Sequence, residues 1–211
     1  MIYFPFLKHK DNWPLVIQRY ASLWKNGKWS ETNYEARDTG VHAPVLYELG
    51  LWMKAQTILE LGTRGGKSLR IWVEVAKKTG GHVWSMDKDD HDPDLGNENR
   101  PYYTFVYADD MVHKWYKPID ILYIDSSHEY QHTKDEMTKY WQFVSCPGLM
   151  IVADSDSHFP QKQAVNDWAE ERRMGFISDT RNQGLDIFMK PPVMDKWRDS
   201  GGKHRWVRDE A

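Results

Sequence analysis

Residues 59–68 read LELGTRGGKS, and the fold turns on what this glycine-rich turn is built to hold. Its end, Gly66-Lys67-Ser68, has the form of the end of a phosphate-binding loop, G-x-x-x-x-G-K-[ST]. That pattern needs its first glycine at position 61, where Leu61 stands. A dinucleotide fingerprint, G-x-G-x-x-G, begun at Gly62 needs its second glycine where Arg64 stands. The surroundings are plainer. An apolar run at 57–61 enters the turn and a helical stretch at 68–78 leaves it. Leu69, Trp72, Val73 and Ala76 share one face of that helix, and Gly80 supplies its stop. The unit is a strand, a tight glycine turn and a helix.

Working outward, the same alternation continues. Runs at 82–86, 103–107, 119–124 and 149–153 have strand character, with Pro147-Gly148 turning the chain into the last of them. Helical spacing recurs at 132–144 through Met137, Tyr140, Trp141 and Val144, and at 161–174 through Ala164, Val165, Trp168 and Ala169. Runs at 176–178 and 185–189 read as two closing strands around a turn at 182–184. A helix at 43–54, with Leu46, Leu49 and Met53 aligned, precedes the series. Strands alternating with helices predict an α/β fold: a doubly wound, mostly parallel seven-stranded sheet flanked by helices. Residues 1–40 read as an aromatic cap or lid, with a short helix at 13–24 and a loop at 28–40. Residues 41–190 form the main domain and 191–211 a Pro/Gly-rich, charged tail or flap.

The chain has 211 residues and a formal net charge of −3, so no overall basic field favours nucleic acid, which is not an expected partner. One cysteine, Cys146, excludes an internal disulfide framework and a cysteine-based zinc site, and fits a cytoplasmic location. No apolar run approaches a membrane span. The 11 tryptophans are first of all core and lid residues, and exposed N-terminal aromatics would suit a homodimer contact.

In open α/β sheets, ligands bind beyond the carboxyl ends of the strands. Those ends carry Glu60, Gly62, Thr63, Gly65 and Gly66; then Asp87; then Asp109 and Asp110; then Asp125, Ser126, Ser127 and His128; then Asp154, Ser155, Asp156 and His158. Any one acid is ordinary at a strand end, but five consecutive acidic ends are less so. This rim would repel a triphosphate lacking Mg²⁺. It suits a ligand with hydroxyls and cationic groups.

These residues also carry a resemblance. ILELGTRGGKS resembles motif I of the class I S-adenosylmethionine-dependent methyltransferases, roughly E-x-G-x-x-x-G. VWSMDKDD resembles their second motif, with Asp87 as the ribose-binding acid. FVYADDM resembles the segment beside the adenine, carried by Asp109. ILYIDSSHEY and PGLMIVADSDSH resemble the fourth and fifth motifs of a small-molecule O-methyltransferase subgroup. That subgroup includes cephalosporin-hydroxylase-like and rhamnosyl O-methyltransferase-like proteins and, more distantly, the caffeoyl-CoA type. The resemblance implies a Rossmann-like methyltransferase domain over 41–190 and S-adenosyl-L-methionine as cofactor. Glu60, Gly62, Thr63, Gly65, Gly66, Ser68, Asp87, Asp109 and Asp125 would hold it. The methyl acceptor would be a small-molecule hydroxyl, on a sugar or natural-product scaffold.

The expected chemistry is in-line displacement, with alignment and nucleophile activation left to the protein. His128, three residues after Asp125, is the leading base candidate; His158 is a weaker one that surface polarity explains better. In metal-dependent relatives, acids at these ends hold a divalent ion. Here Asp125, Asp154 and Asp156 would hold Mg²⁺ as a Lewis acid on the acceptor oxygen. Ser155 stands where such relatives often carry an acid or amide. Two other readings remain open. One is a P-loop-like NTPase or kinase using Gly66-Lys67-Ser68, with Asp125 imitating a Walker B acid. The other is a family member that binds cofactor without catalysis.

Overall fold

The computed structural model describes residues 38–191, together with the backbone of two short hairpins. These are Trp24–Lys25 paired with Lys28–Trp29, and Lys196–Ser200 paired with Lys203–Val207, both antiparallel. Of the helix expected at 13–24, only Trp24 lies among the described residues, and it is in a strand. The loop expected at 28–40 contains the strand Lys28–Trp29 and the start of a 3₁₀ turn, Asp38–Val41.

The central element is a seven-stranded sheet made of β1 (Thr57–Leu61), β2 (His82–Asp87), β3 (Tyr103–Tyr107), β4 (Ile119–Ile124), β5 (Val144–Ala153), β6 (Ile177–Asp179) and β7 (Leu185–Lys190). Their spatial order is β3-β2-β1-β4-β5-β7-β6. The first five strands are mutually parallel, and β7 runs antiparallel to both β5 and β6. Among the described residues, four α-helices flank the sheet: α1 (Ala43–Met53), α2 (Lys67–Thr79), α3 (Tyr130–Trp141) and α4 (Phe159–Arg172). The order reverses between β1 and β4, so the crevice beyond their carboxyl ends is the place where such folds bind ligands.

Period-two alternation explains why helices cover both faces. Ile58, Val83, Ile121, Tyr123, Leu149 and Ile151 pack under α1 and α2, around Leu46, Trp72 and Val75. Leu59, Leu61, Leu122, Ile124, Met150 and Val152 pack under α3 and α4, around Met137, Tyr140 and Trp168.

Two boundaries differ from the sequence reading. Helix α3 stops at Trp141 rather than Val144, because Val144 already pairs with Ile119 as the first residue of β5. Pro147-Gly148 does not precede that strand but lies inside it, where the pairing with β4 slips between Ile119 and Ile121. A proline is tolerated within a sheet at such an irregularity.

Candidate active site

The glycine turn is held from beneath. Gly62 adopts φ +91°, and a Cβ there would lie 2.1 Å from the Asp125 carbonyl oxygen, so only glycine fits. Its N–H donates to the Met86 carbonyl at 2.8 Å, and the Asp125 N–H donates to the Leu61 carbonyl at 2.8 Å. Gly66, at φ +69°, starts α2, and its α-carbon faces Pro93. Gly65 is different: a Cβ there would meet nothing within 4 Å, so the turn presents bare backbone to open space at that point.

Asp87 is bound into the turn. Its Oδ2 accepts the N–H groups of Thr63 and Arg64, both at 2.9 Å, and its Oδ1 accepts that of Asp89 at 3.0 Å. The Thr63 and Ser85 hydroxyls bond at 2.7 Å, and Ser85 donates in turn to Glu60. Glu60 is fully buried. Burial pushes its carboxyl up to about 8; hydroxyls of Ser68 and Ser85 oppose the shift, and the charges of Asp125 and Asp87 add to it. Ser68, in the first turn of α2, is itself buried.

This pattern answers the phosphate question. A phosphate loop offers its backbone N–H groups to the ligand. Here those of Gly62, Thr63, Arg64 and Gly66 are already donated to Met86, Asp87 and Thr63.

Along the rim, Asp109 is exposed, and its carboxylate caps the Met111 N–H at 2.8 Å. Asp125 and His128 follow β4, with His128 Nε2 at 3.9 Å from Asp125 Oδ1 and 3.6 Å from Asp154 Oδ2. Asp154 follows β5 in the left-handed region, at φ +57°. That bend brings His158 back over the site: its ring stacks on that of His128 with centroids 4.0 Å apart and planes 6° from parallel. Burial and the neighbouring His128 both lower the pKa of His158. Asp156 is exposed and turned away, pairing with Lys162 at 3.2 Å, which also holds the buried Asp186 at 2.9 Å. The expected trio Asp125, Asp154 and Asp156 is therefore not gathered; Asp154 meets His128 and His158 instead.

A second cluster went unread in the sequence. His132 and Glu136, one turn apart on α3, meet Asp110 from the segment after β3. An H-x-x-x-E spacing on an expected helix was the available signal.

The strand order, the glycine turn after β1 and the acid of β2 bonded into that turn define a Rossmann-like methyltransferase fold. Residues 59–155, running from β1 to just past β5, match the family model described as a methyltransferase domain. No curated protein sequence matches the chain. Among solved structures, it is similar to the SAH-bound methyltransferase PaMTH1 of Podospora anserina, at 10% identity over 89% of this chain and 97% of that one, with a TM-score of 0.61. It is also similar to the O-methyltransferase TomG of Streptomyces achromogenes, involved in tomaymycin synthesis and solved with SAM: 13% identity, 85% and 91% coverage, TM-score 0.58. A third is an O-methyltransferase of Bacillus cereus in complex with SAH: 16% identity, 83% and 88% coverage, TM-score 0.52. At these identities the likeness speaks for the fold.

Proposed function

We propose that the chain methylates a hydroxyl of a small molecule, with S-adenosyl-L-methionine held across the glycine turn. The observation that carries this reading is the Asp87 carboxylate, fixed by two amides of the turn at 2.9 Å beside the uncovered Gly65 backbone. The residues present fit such a cofactor. Asp87 Oδ1 accepts one N–H and keeps room for a hydroxyl donor, and the rim carboxylates Asp109 and Asp125 suit a cationic ligand. When bound, the cofactor supplies an activated methyl group on a sulfonium centre.

With that group supplied, transfer to an acceptor hydroxyl would leave a proton to be removed from its oxygen. In this reading the proton goes to His128, whose Nε2 lies near the carboxylates of Asp125 and Asp154 that would stabilise the imidazolium. Glu60, enclosed by Ser85 and the turn, positions the loop rather than touching ligand. The donor set gathered beside Asp154 contains two imidazoles, which does not fit Mg²⁺, an ion that takes oxygen ligands and water. The reading includes work away from membranes; among the described residues no helix is long and apolar enough to cross one. It also includes pairing of two chains through the N-terminal aromatic segment.

The test is methyl transfer from labelled cofactor to a panel of phenolic, sugar and natural-product hydroxyls. His128→Ala is expected to lower kcat by about 10²–10⁴-fold while leaving cofactor affinity near wild type. Transfer that survives this change at full rate removes His128 from the mechanism.

A further inference from the structure

We propose that Asp110, His132 and Glu136 form a divalent-metal site that clamps α3 to the segments following β3 and β4. This inference is independent of the methyl-transfer reading. His132 Nε2 lies 3.3 Å from Asp110 Oδ2 and 3.5 Å from Glu136 Oε1. Ligands at about 2.1 Å from one ion, at angles near 90–110°, stand roughly 3–3.5 Å apart, so these separations already match. The ligand atoms of all three residues lie within 4.8 Å of one another.

A second observation points to a missing partner. Glu136 is fully buried, and its Oε2 has no hydrogen-bond partner, while Oε1 accepts the Ser126 hydroxyl at 2.5 Å. A buried, unpaired carboxylate oxygen is costly, and a cation beside it removes the cost. The aim of the other carboxylate is fixed through its backbone: the Asp110 carbonyl accepts Lys139 Nζ at 2.5 Å and the Tyr140 hydroxyl at 2.6 Å. His132 keeps 29% of its side chain exposed, which leaves the ion a route in. One imidazole with two carboxylates is a mixed nitrogen/oxygen set, suited to Zn²⁺, Mn²⁺ or Fe²⁺ rather than Ca²⁺. Ser126 adjoins Asp125 and Asp110 adjoins Asp109, so an ion here would stiffen the acidic rim from behind without being part of it.

Without metal, the same three groups can satisfy one another by sharing protons: burial raises the Glu136 carboxyl to about 8, and Glu136 raises the His132 imidazole to about 9. The experiment separates the two states. The full chain carrying His158→Ala, which dismantles the other imidazole–carboxylate cluster, is stripped with chelator and titrated calorimetrically with Zn²⁺ and, separately, Mn²⁺. One equivalent is expected to bind. Adding His132→Ala, Glu136→Gln or Asp110→Asn is expected to weaken it by roughly 100-fold or more. Circular dichroism confirms that each variant is folded, and the three different ligand changes guard against one failing to fold. Absence of a stoichiometric site in the His158→Ala chain, or binding indifferent to His132→Ala and Asp110→Asn, overturns the proposal and leaves a proton-sharing cluster.

Discussion

Asp87 does two things with one carboxylate: it receives the turn's amides on one oxygen and the Asp89 N–H on the other. Glu60 is its buried counterpart, and it contributes to the pH response of the fold. Its carboxyl titrates near 8 in the folded chain, against an ordinary value of 4.5. Between those values the folded state keeps a proton that the unfolded state has released. The group's contribution to stability is therefore complete below about 4.5 and is lost as pH rises toward 8. Glu60→Gln keeps the shape and carries no charge, so it is expected to flatten the fall in Tm between pH 5 and pH 8. Thermal melts across that range check this; a wild-type slope in the variant contradicts it. The acids themselves were legible as residues, because a strand that ends in a carboxylate is visible in sequence. Their engagement was not: nothing in the order of residues says that Glu60 points inward while Asp109 stays exposed.

Among the elements, the β1–turn–α2 unit was the most legible, since an apolar run, spaced glycines and helical periodicity agree with one another. The two glycines at its centre play opposite parts. Gly62→Ala forces a Cβ against the Asp125 carbonyl at a positive φ, and is expected to cost about 2–4 kcal/mol in urea denaturation. Gly65→Ala meets no protein atom within 4 Å, so stability should change by less than about 0.5 kcal/mol while cofactor affinity falls. Equal destabilisation by both would mean that Gly65 is there for the fold and not for a ligand. Less legible were the ends of α3 and β5. Trp141 and Val144 fit a helical face, but tertiary pairing claims Val144 for the sheet. The loop after β5 was misleading for a related reason. With Asp154 left-handed, the side chain that returns to the site is His158, four residues on, and Asp156 is given to Lys162. Periodicity carries no information about direction in such a loop.

At the scale of the whole molecule, the mostly parallel seven-stranded sheet and its flanking helices were readable, because apolar runs alternating with helical stretches leave few arrangements. The pairing of His128 with His158 was not, since the two come from separate loops thirty positions apart. The comparison structures share this architecture at identities of 10–16%, which leaves the acceptor to be found on this chain itself. A rim of carboxylates, beside a turn in which the amides of Gly62, Thr63, Arg64 and Gly66 are already donated, favours a ligand that is cationic and hydroxylated. The most direct test is calorimetric titration of the full chain with S-adenosylhomocysteine and, separately, with ATP and Mg²⁺, repeated on Asp87→Ala. The account predicts micromolar binding of S-adenosylhomocysteine that is lost in Asp87→Ala, with no binding of ATP. Binding of ATP in place of S-adenosylhomocysteine would contradict it and return Gly66-Lys67-Ser68 to the role of a phosphate loop.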